Sequence, residues 1–191
     1  MTKKIMFNDK YELTKRVLNG QKTMTRRFVK EDIPLGNLEE AVKHLPYKIG
    51  DIVAIAQTYK DIYTEKITDF TKHKYRIPRA EVPEKFKKLY ENTAGWNNKM
   101  FVKSELMRHH IKITDIKIER LQDISKEDCL CEGILERYDC YRYVRVFKIF
   151  TGGNVFDTAR QAFATLIDKV GKKGDWKKNP LVAVYTFELV D

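Results

Sequence analysis

The sequence predicts an α+β fold on three grounds. Apolar residues recur at helical spacing through residues 9–19 and 157–170, the runs 52–56, 110–121 and 181–190 are rich in β-branched and other apolar residues, and no internal repeat or low-complexity tract intervenes. Of the 191 residues 42% are hydrophobic and 12% aromatic, enough apolar surface to offset the entropy of ordering a core. A single domain spanning residues 1–191 is expected.

Taken from the start of the chain, Tyr11, Leu13, Val17 and Leu18 share one stripe of a first helix, and Gly20 ends it as a left-handed cap. Gln21-Lys22-Thr23-Met24-Thr25-Arg26-Arg27 reads as an extended segment leaving that helix. Pro46-Tyr47-Lys48-Ile49-Gly50-Asp51 is a turn feeding Ile52-Val53-Ala54-Ile55-Ala56, a strand apolar on both faces and therefore central. Residues 61–98 are polar, basic and aromatic, interrupted by Pro78 and Pro83, with an amphipathic piece over 84–90; they read as an insertion or long excursion.

Met100-Phe101-Val102 predicts a short strand. Residues 110–121 predict a long one, whose Ile111, Ile113, Ile116 and Ile118 slip register near Asp115, the mark of a bulge. Ser125 with an acid three residues later predicts a capped helix running to Glu132 and closed by Gly133. A last helix carries Ala159, Phe163, Leu166, Ile167 and Val170, with Asp157 or Thr158 as its cap and Gly171 at its end. Trp176-Lys177-Lys178-Asn179-Pro180 then turns the chain into the closing strand at 181–190.

Lysine and arginine number 37 against 27 aspartates and glutamates, and the resulting charge of +10 attracts polyanions, so nucleic acid leads among partner classes. The competing reading is a dispersed, solubilising surface. Cys129, Cys131 and Cys140 have no disulfide-framework spacing, and the N-terminal MTKKIMFNDKYEL lacks the apolar centre of a signal peptide, so a cytoplasmic location is expected. No apolar run approaches the ~20 residues that span a bilayer. His109 and His110 would point to opposite faces of a strand, and Cys129 and Cys131 would diverge on a helix, so neither a metal nor another cofactor is expected.

The order of these signals resembles a known family. A helix is followed by Gly20, Lys22, Thr23, Thr25 and Arg26 or Arg27 in the pattern Gly-x-Lys-Thr-x-Thr-x-Arg, then by Gly50-Asp51 ahead of a strand, then by Glu132-Gly133-Ile134 at the end of a short helix. This is similar to the ASCH domains of the PUA-like superfamily, and more loosely to the larger ASCH-like proteins of bacterial genomes and their phages. The likeness runs over residues 5–27, 46–56 and 101–134, with 176–190 as a closing strand, and leaves 61–98 and 135–156 as additions. It implies a partly open β-barrel with helices packed at its ends, and a basic cleft that takes RNA or a modified nucleoside. One branch of the family comprises amidohydrolases that deacetylate N4-acetylcytidine, and its working lysine, threonine and glutamate fall on Lys22, Thr25 and Glu132.

In that chemistry a threonine hydroxyl attacks an amide carbonyl only if a base takes its proton, and a desolvated lysine can serve. Lys22 would be the base, Thr25 the nucleophile, and Glu132 the group that orients the lysine or carries a proton to the leaving amine. Simple strand alternation does not put Lys22 and Thr25 on one face, so the hydrolase reading requires a bulge or turn at Thr23-Met24. For binding, Lys22, Arg26 and Arg27 are candidate phosphate contacts, with Tyr59, Tyr63 or Trp96 as a stacking surface for a base. Three function classes follow: RNA or nucleoside binding, hydrolysis of N4-acetylcytidine, and a phage-related protein-interaction module whose basic surface only solubilises it.

Overall fold

Helix-forming and strand-forming segments are interleaved along the chain in the computed structural model, which describes residues 3–30, 33, 38–72, 81–151 and 153–190. The first half holds β1 (Lys4–Ile5), α1 (Leu13–Leu18), β2 (Met24–Phe28), α2 (Leu38–Lys43), β3 (Ile52–Ile55), α3 (Tyr59–Lys72) and α4 (Glu81–Tyr90). The second holds β4 (His110–Arg120), α5 (Lys126–Cys131), β5 (Leu135–Asp139), β6 (Val144–Lys148), β7 (Val155–Phe156), α6 (Ala159–Val170), α7 (Asp175–Lys178) and β8 (Leu181–Val190). The class is α+β, with one sheet of five strands and one of three. The chain divides into two compact units: one joins the N-terminal residues up to Phe7 with Ile52–His110, the other joins Asn8–Asp51 with Ile111–Val190.

In the first unit β1 and β3 pair in parallel, Lys4 opposite Ala54 and Ile5 opposite Ile55. Val53, Ala54 and Ile55 are fully buried, as a run apolar on both faces requires. The described residues of 61–98 are largely helical: α3 and α4 pack together, and Pro83 is tolerated because it lies in the first turn of α4. Pro78 lies outside the described residues. Met100-Phe101-Val102 does not form the expected strand. Residues Lys99–Phe101 close a 3-10 turn, because the Asn98 side chain accepts from the Met100 N–H and competes with sheet pairing. Lys4 then pins this turn, donating from Nζ to the carbonyls of Met100 at 2.7 Å and Val102 at 2.9 Å.

In the second unit the expected first helix is split. Glu12 takes φ 58°, so a 3-10 turn at Asp9–Tyr11 precedes α1 instead of continuing into it, and Gly20 with φ +69° follows the end of α1. Strands β4, β8 and β2 lie in that order, with β2 antiparallel to β8. Along β4 the buried isoleucines change phase from Ile111 and Ile113 to Ile116, which is the slip anticipated near Asp115. Ser125 caps α5 by accepting from the Asp128 N–H at 3.0 Å, and Thr158 caps α6 in a reciprocal capping box with Gln161. Residues 135–156 hold β5, β6 and β7, a separate three-stranded sheet. Trp176-Lys177-Lys178 lies in the short helix α7 where a plain turn was expected, and Asn179 with φ 48° redirects the chain into β8.

Candidate functional site

Alternation along β2 sends Met24 and Arg26 to one face of the strand and Thr25 and Arg27 to the other. The antiparallel register sets Thr25 opposite Tyr185, Arg26 opposite Val184 and Arg27 opposite Ala183.

On the Arg26 face stands a closed ionic network. Glu132, the C-terminal cap of α5, accepts from Lys22 Nζ on Oε2 at 2.6 Å and from the Arg26 guanidinium on Oε1 at 3.2 Å. Arg26 also donates from Nε and a terminal nitrogen to Glu119 Oε1, at 3.1 and 2.6 Å, and from the same terminal nitrogen to Asp128 Oδ2 at 2.6 Å. Lys22 Nζ donates further to the carbonyls of Met24 at 2.8 Å and Glu132 at 2.7 Å. Lys117, more exposed, joins Glu119 at 2.9 Å and Asp128 at 3.5 Å. Three cations thus face three carboxylates. Lys22 is 2% exposed and Glu132 4%, and removing such charges from water is tolerable only with partners this close.

The backbone after α5 makes the arrangement possible. Gly133 has φ +98°, and a Cβ placed there would lie 3.3 Å from Arg16 Cδ and 3.5 Å from Lys22 Cβ. Arg16, itself buried, donates to the Gly133 carbonyl, which ties α1 to the turn that presents Glu132. Burial lowers the Lys22 ammonium, and the positive charges of Arg27 and Arg26 act in the same direction, against the attraction of Glu132. For Arg26 burial alone would lower the guanidinium, but Glu132, Glu119 and Asp128 outweigh it and hold it above its ordinary value. Burial likewise favours protonated Asp128, yet Arg26 and Lys117 prevail and hold that carboxyl below its usual range. Lys22 is therefore the cation of the network whose charge its burial favours least.

On the opposite face Arg27 lines a cavity of about 380 Å³ together with Phe28, Val29, Lys30, Ile33, His44, Leu45, Pro46, Ala183 and Tyr185. Tyr47 packs edge-on against Tyr185, ring centres 5.3 Å apart at 83°. Burial lowers the Arg27 guanidinium and raises both phenols, Tyr185 to about 12. The cavity combines a partly desolvated guanidinium, an imidazole at His44 and aromatic walls, a lining suited to a planar polar ligand with an anionic or carbonyl group.

The structure brings Lys22 and Glu132 into contact and adds Arg26 to them. Lys22 and Arg26, expected as phosphate contacts, are both engaged in these internal ion pairs. Thr25 is buried on the alternate face from Arg26, opposite Tyr185. Arg27 is the member of the expected binding set that reaches a cavity. Tyr59 and Trp96 belong to the other unit and are committed to its packing. Tyr59 is 5% exposed and stacked on Tyr90 at 4.1 Å, and Trp96 packs against Tyr63 at 5.8 Å, so the face of Tyr59 expected to receive a base is already covered. Sequence reasoning missed Arg16, Glu119, Asp128, His44 and Tyr185. Asp128 carried a signal as the backbone partner of the Ser125 cap; the others had none short of the fold.

Cys129, Cys131 and Cys140 are free thiols, with burial raising Cys129 to about 12. Among the described residues no group of three histidine, cysteine or carboxylate side chains is placed to hold a metal ion, and no helix is long and apolar enough to cross a membrane. Compared with protein-family models, curated proteins and solved structures, the chain matches none of them.

Proposed function

We propose that this protein binds RNA or a modified nucleoside as an ASCH-type, PUA-like domain, with the base held in the cavity beside Arg27. The observation that carries the reading is the cavity itself. At about 380 Å³ it falls in the range of small-molecule sites, and Arg27, Lys30 and His44 surround it with hydrogen-bond donors while Tyr185, Ile33 and Leu45 supply apolar wall. The net charge of +10 favours a polyanion or a phosphorylated ligand. The partly open barrel of the PUA-like fold is part of this reading; the adjacency of β4, β8 and β2, with α5 presenting Glu132-Gly133-Ile134, supports it. So does the pattern Gly20, Lys22, Thr23, Thr25, Arg27. A cytoplasmic location, with no metal, no other cofactor and no membrane contact, goes with it.

Calorimetric titration with cytidine, N4-acetylcytidine and cytidine monophosphate tests it. Saturable binding that weakens about tenfold or more in Arg27→Gln is expected, since a charge-assisted hydrogen bond contributes about 1.5–3 kcal/mol. No heat from any of the three ligands would remove the reading.

A second reading, hydrolysis of the N4-acetyl group, is favoured by one observation: an amine and a carboxylate, Lys22 and Glu132, are buried 2.6 Å apart with the lysine lowered by desolvation. In it Lys22 takes the Thr25 proton as the threonine oxygen attacks the acetyl carbonyl, the proton passes by way of Glu132 to the cytosine amine as the C–N bond breaks, and water then hydrolyses the acetyl ester on Thr25 to release acetate. Acetate release abolished in Thr25→Val, with the fold intact, is the expected result; no turnover by the wild type at high enzyme concentration sinks it.

A further inference from the structure

The hairpin made by β5 and β6 carries a surface that neither reading above uses. Tyr138, Tyr141 and Tyr143 are 63%, 93% and 79% exposed, three large rings within six residues, and four cations, Arg137, Arg142, Arg145 and Lys148, are interleaved with them against two carboxylates, Glu136 and Asp139. An exposed aromatic cluster of this density marks an interaction surface. Tyrosine and arginine also occur together at protein interfaces, but four cations against two carboxylates give the hairpin a local positive charge that favours a polyanion. Stacking on rings combined with phosphate neutralisation is the chemistry of single-strand recognition.

The hairpin has two sides. On one, the cross-strand pair Tyr138 and Arg145 is steadied by Glu136, which accepts from Arg145 at 3.0 Å. On the other, Leu135 and Val146 form the floor of a groove of about 350 Å³ whose rim includes Arg137, Lys148 and Tyr141. The register sets Arg137 opposite Val146 and Leu135 opposite Lys148, so the two cations are diagonal neighbours on one face, about 7–8 Å apart. A base lying on the apolar floor would have a ring at the rim and a cation on each side of its backbone.

The turn adds an independent observation. Asp139 Oδ1 accepts from the N–H groups of Tyr141 at 3.0 Å and Arg142 at 3.2 Å, which shapes the connection. Tyr143 is then held at φ +56°, a left-handed conformation that glycine or asparagine would adopt at less cost and that is an outlier for a bulky residue. The ring it presents is mostly exposed, so packing does not repay that strain. A strained residue exposed at a turn points to function.

We propose that the β5–β6 hairpin is a single-stranded polynucleotide-binding arm, with Tyr141 and Tyr143 stacking bases and Arg137 and Lys148 contacting phosphates. The inference rests on the reading of this protein as a nucleic-acid binder and extends it from one nucleoside to a strand.

The test is fluorescence anisotropy of the full chain with a labelled 12-mer RNA and a DNA of the same sequence, at 50 and 200 mM salt. Stacking is worth about 1–3 kcal/mol per base, so Tyr141→Ala should weaken binding by about five- to a hundredfold, while Tyr141→Trp should retain it. Arg137→Gln with Lys148→Gln should reduce the slope of log affinity against log salt by about 1.4, the loss of two single-strand phosphate contacts. The ratio of RNA to DNA affinity identifies the natural strand, and either one binding through the hairpin supports the proposal. Strand binding that survives both sets of substitutions overturns it, as does no strand binding by the wild type at 50 mM salt. Sedimentation is run alongside: an oligomer dispersed by Tyr141→Ala, with strand binding untouched, would make the hairpin a protein interface and overturn the proposal. Calorimetry with N4-acetylcytidine on the same variants separates the two readings, since failure of the pocket silences the nucleoside and failure of the arm leaves it bound.

Discussion

The two faces of β2 place neighbouring arginines in opposite circumstances. Arg26 is enclosed by Glu119, Asp128 and Glu132, three carboxylates delivered by β4 and α5, with Phe163 of α6 under its guanidinium at 5.9 Å. Arg27, one residue later, meets two phenols and a cavity. The difference teaches that residue type does not separate a structural cation from a ligand-facing one. What separates them is the net balance: Glu132, Glu119 and Asp128 outweigh burial at Arg26 and hold its guanidinium above its ordinary value, whereas at Arg27 burial prevails over Tyr47, Glu132 and Tyr185 and lowers it.

Glu132→Ala should break that contrast most severely. It leaves Lys22 and Arg26 buried with charge uncompensated, a loss of about 3–5 kcal/mol in urea unfolding; a loss under about 1 kcal/mol would show that the network is not what holds α5 to β2. Next comes Gly133→Ala, which forces a side chain into the left-handed region and against Arg16, at a cost of about 1–2 kcal/mol by the same measurement. The comparison sharpens with Arg27→Gln, which should change the unfolding free energy by less than about 1 kcal/mol while weakening nucleoside binding about tenfold, the reverse of Arg26→Gln.

The smallest effect is a pH dependence. Asp128 is held below its unfolded value, so the folded state binds fewer protons as pH falls through the carboxylate range. Its contribution is complete above about pH 4 and is lost as pH drops further. Asp128→Asn should flatten the acid limb of the stability profile; an unchanged limb would show that other carboxylates govern it.

Much of the skeleton was legible locally. The stripe at 157–170, the caps at Ser125 and Thr158, the positive-φ glycines at 20 and 133, and the phase slip of the isoleucines in β4 are consequences of short-range sterics and hydrogen bonding, and each was readable from a few residues. Met100-Phe101-Val102 misled because periodicity does not see a side chain such as Asn98 capturing the backbone. The first helix misled because nothing in its stripe reveals that Glu12 turns left-handed. Within 61–98, Ile62, Phe86 and Tyr90 pack with Tyr59 in a core of their own, which the polar and basic composition of the stretch did not reveal.

By itself the sequence determined the α+β class, the bounds of β3, β4, α5, α6 and β8, and the basic charge. These depend on local conformational preference and on which residues are present. Only the tertiary structure decided that Arg26 is spent inside the protein while Arg27 faces a cavity, that Tyr59 is core, and that the rings of the β5–β6 hairpin stand in water among arginines. Those outcomes depend on which distant elements arrive beside each side chain, and on the free energy of burying a charge, which is set by the partners that arrive with it.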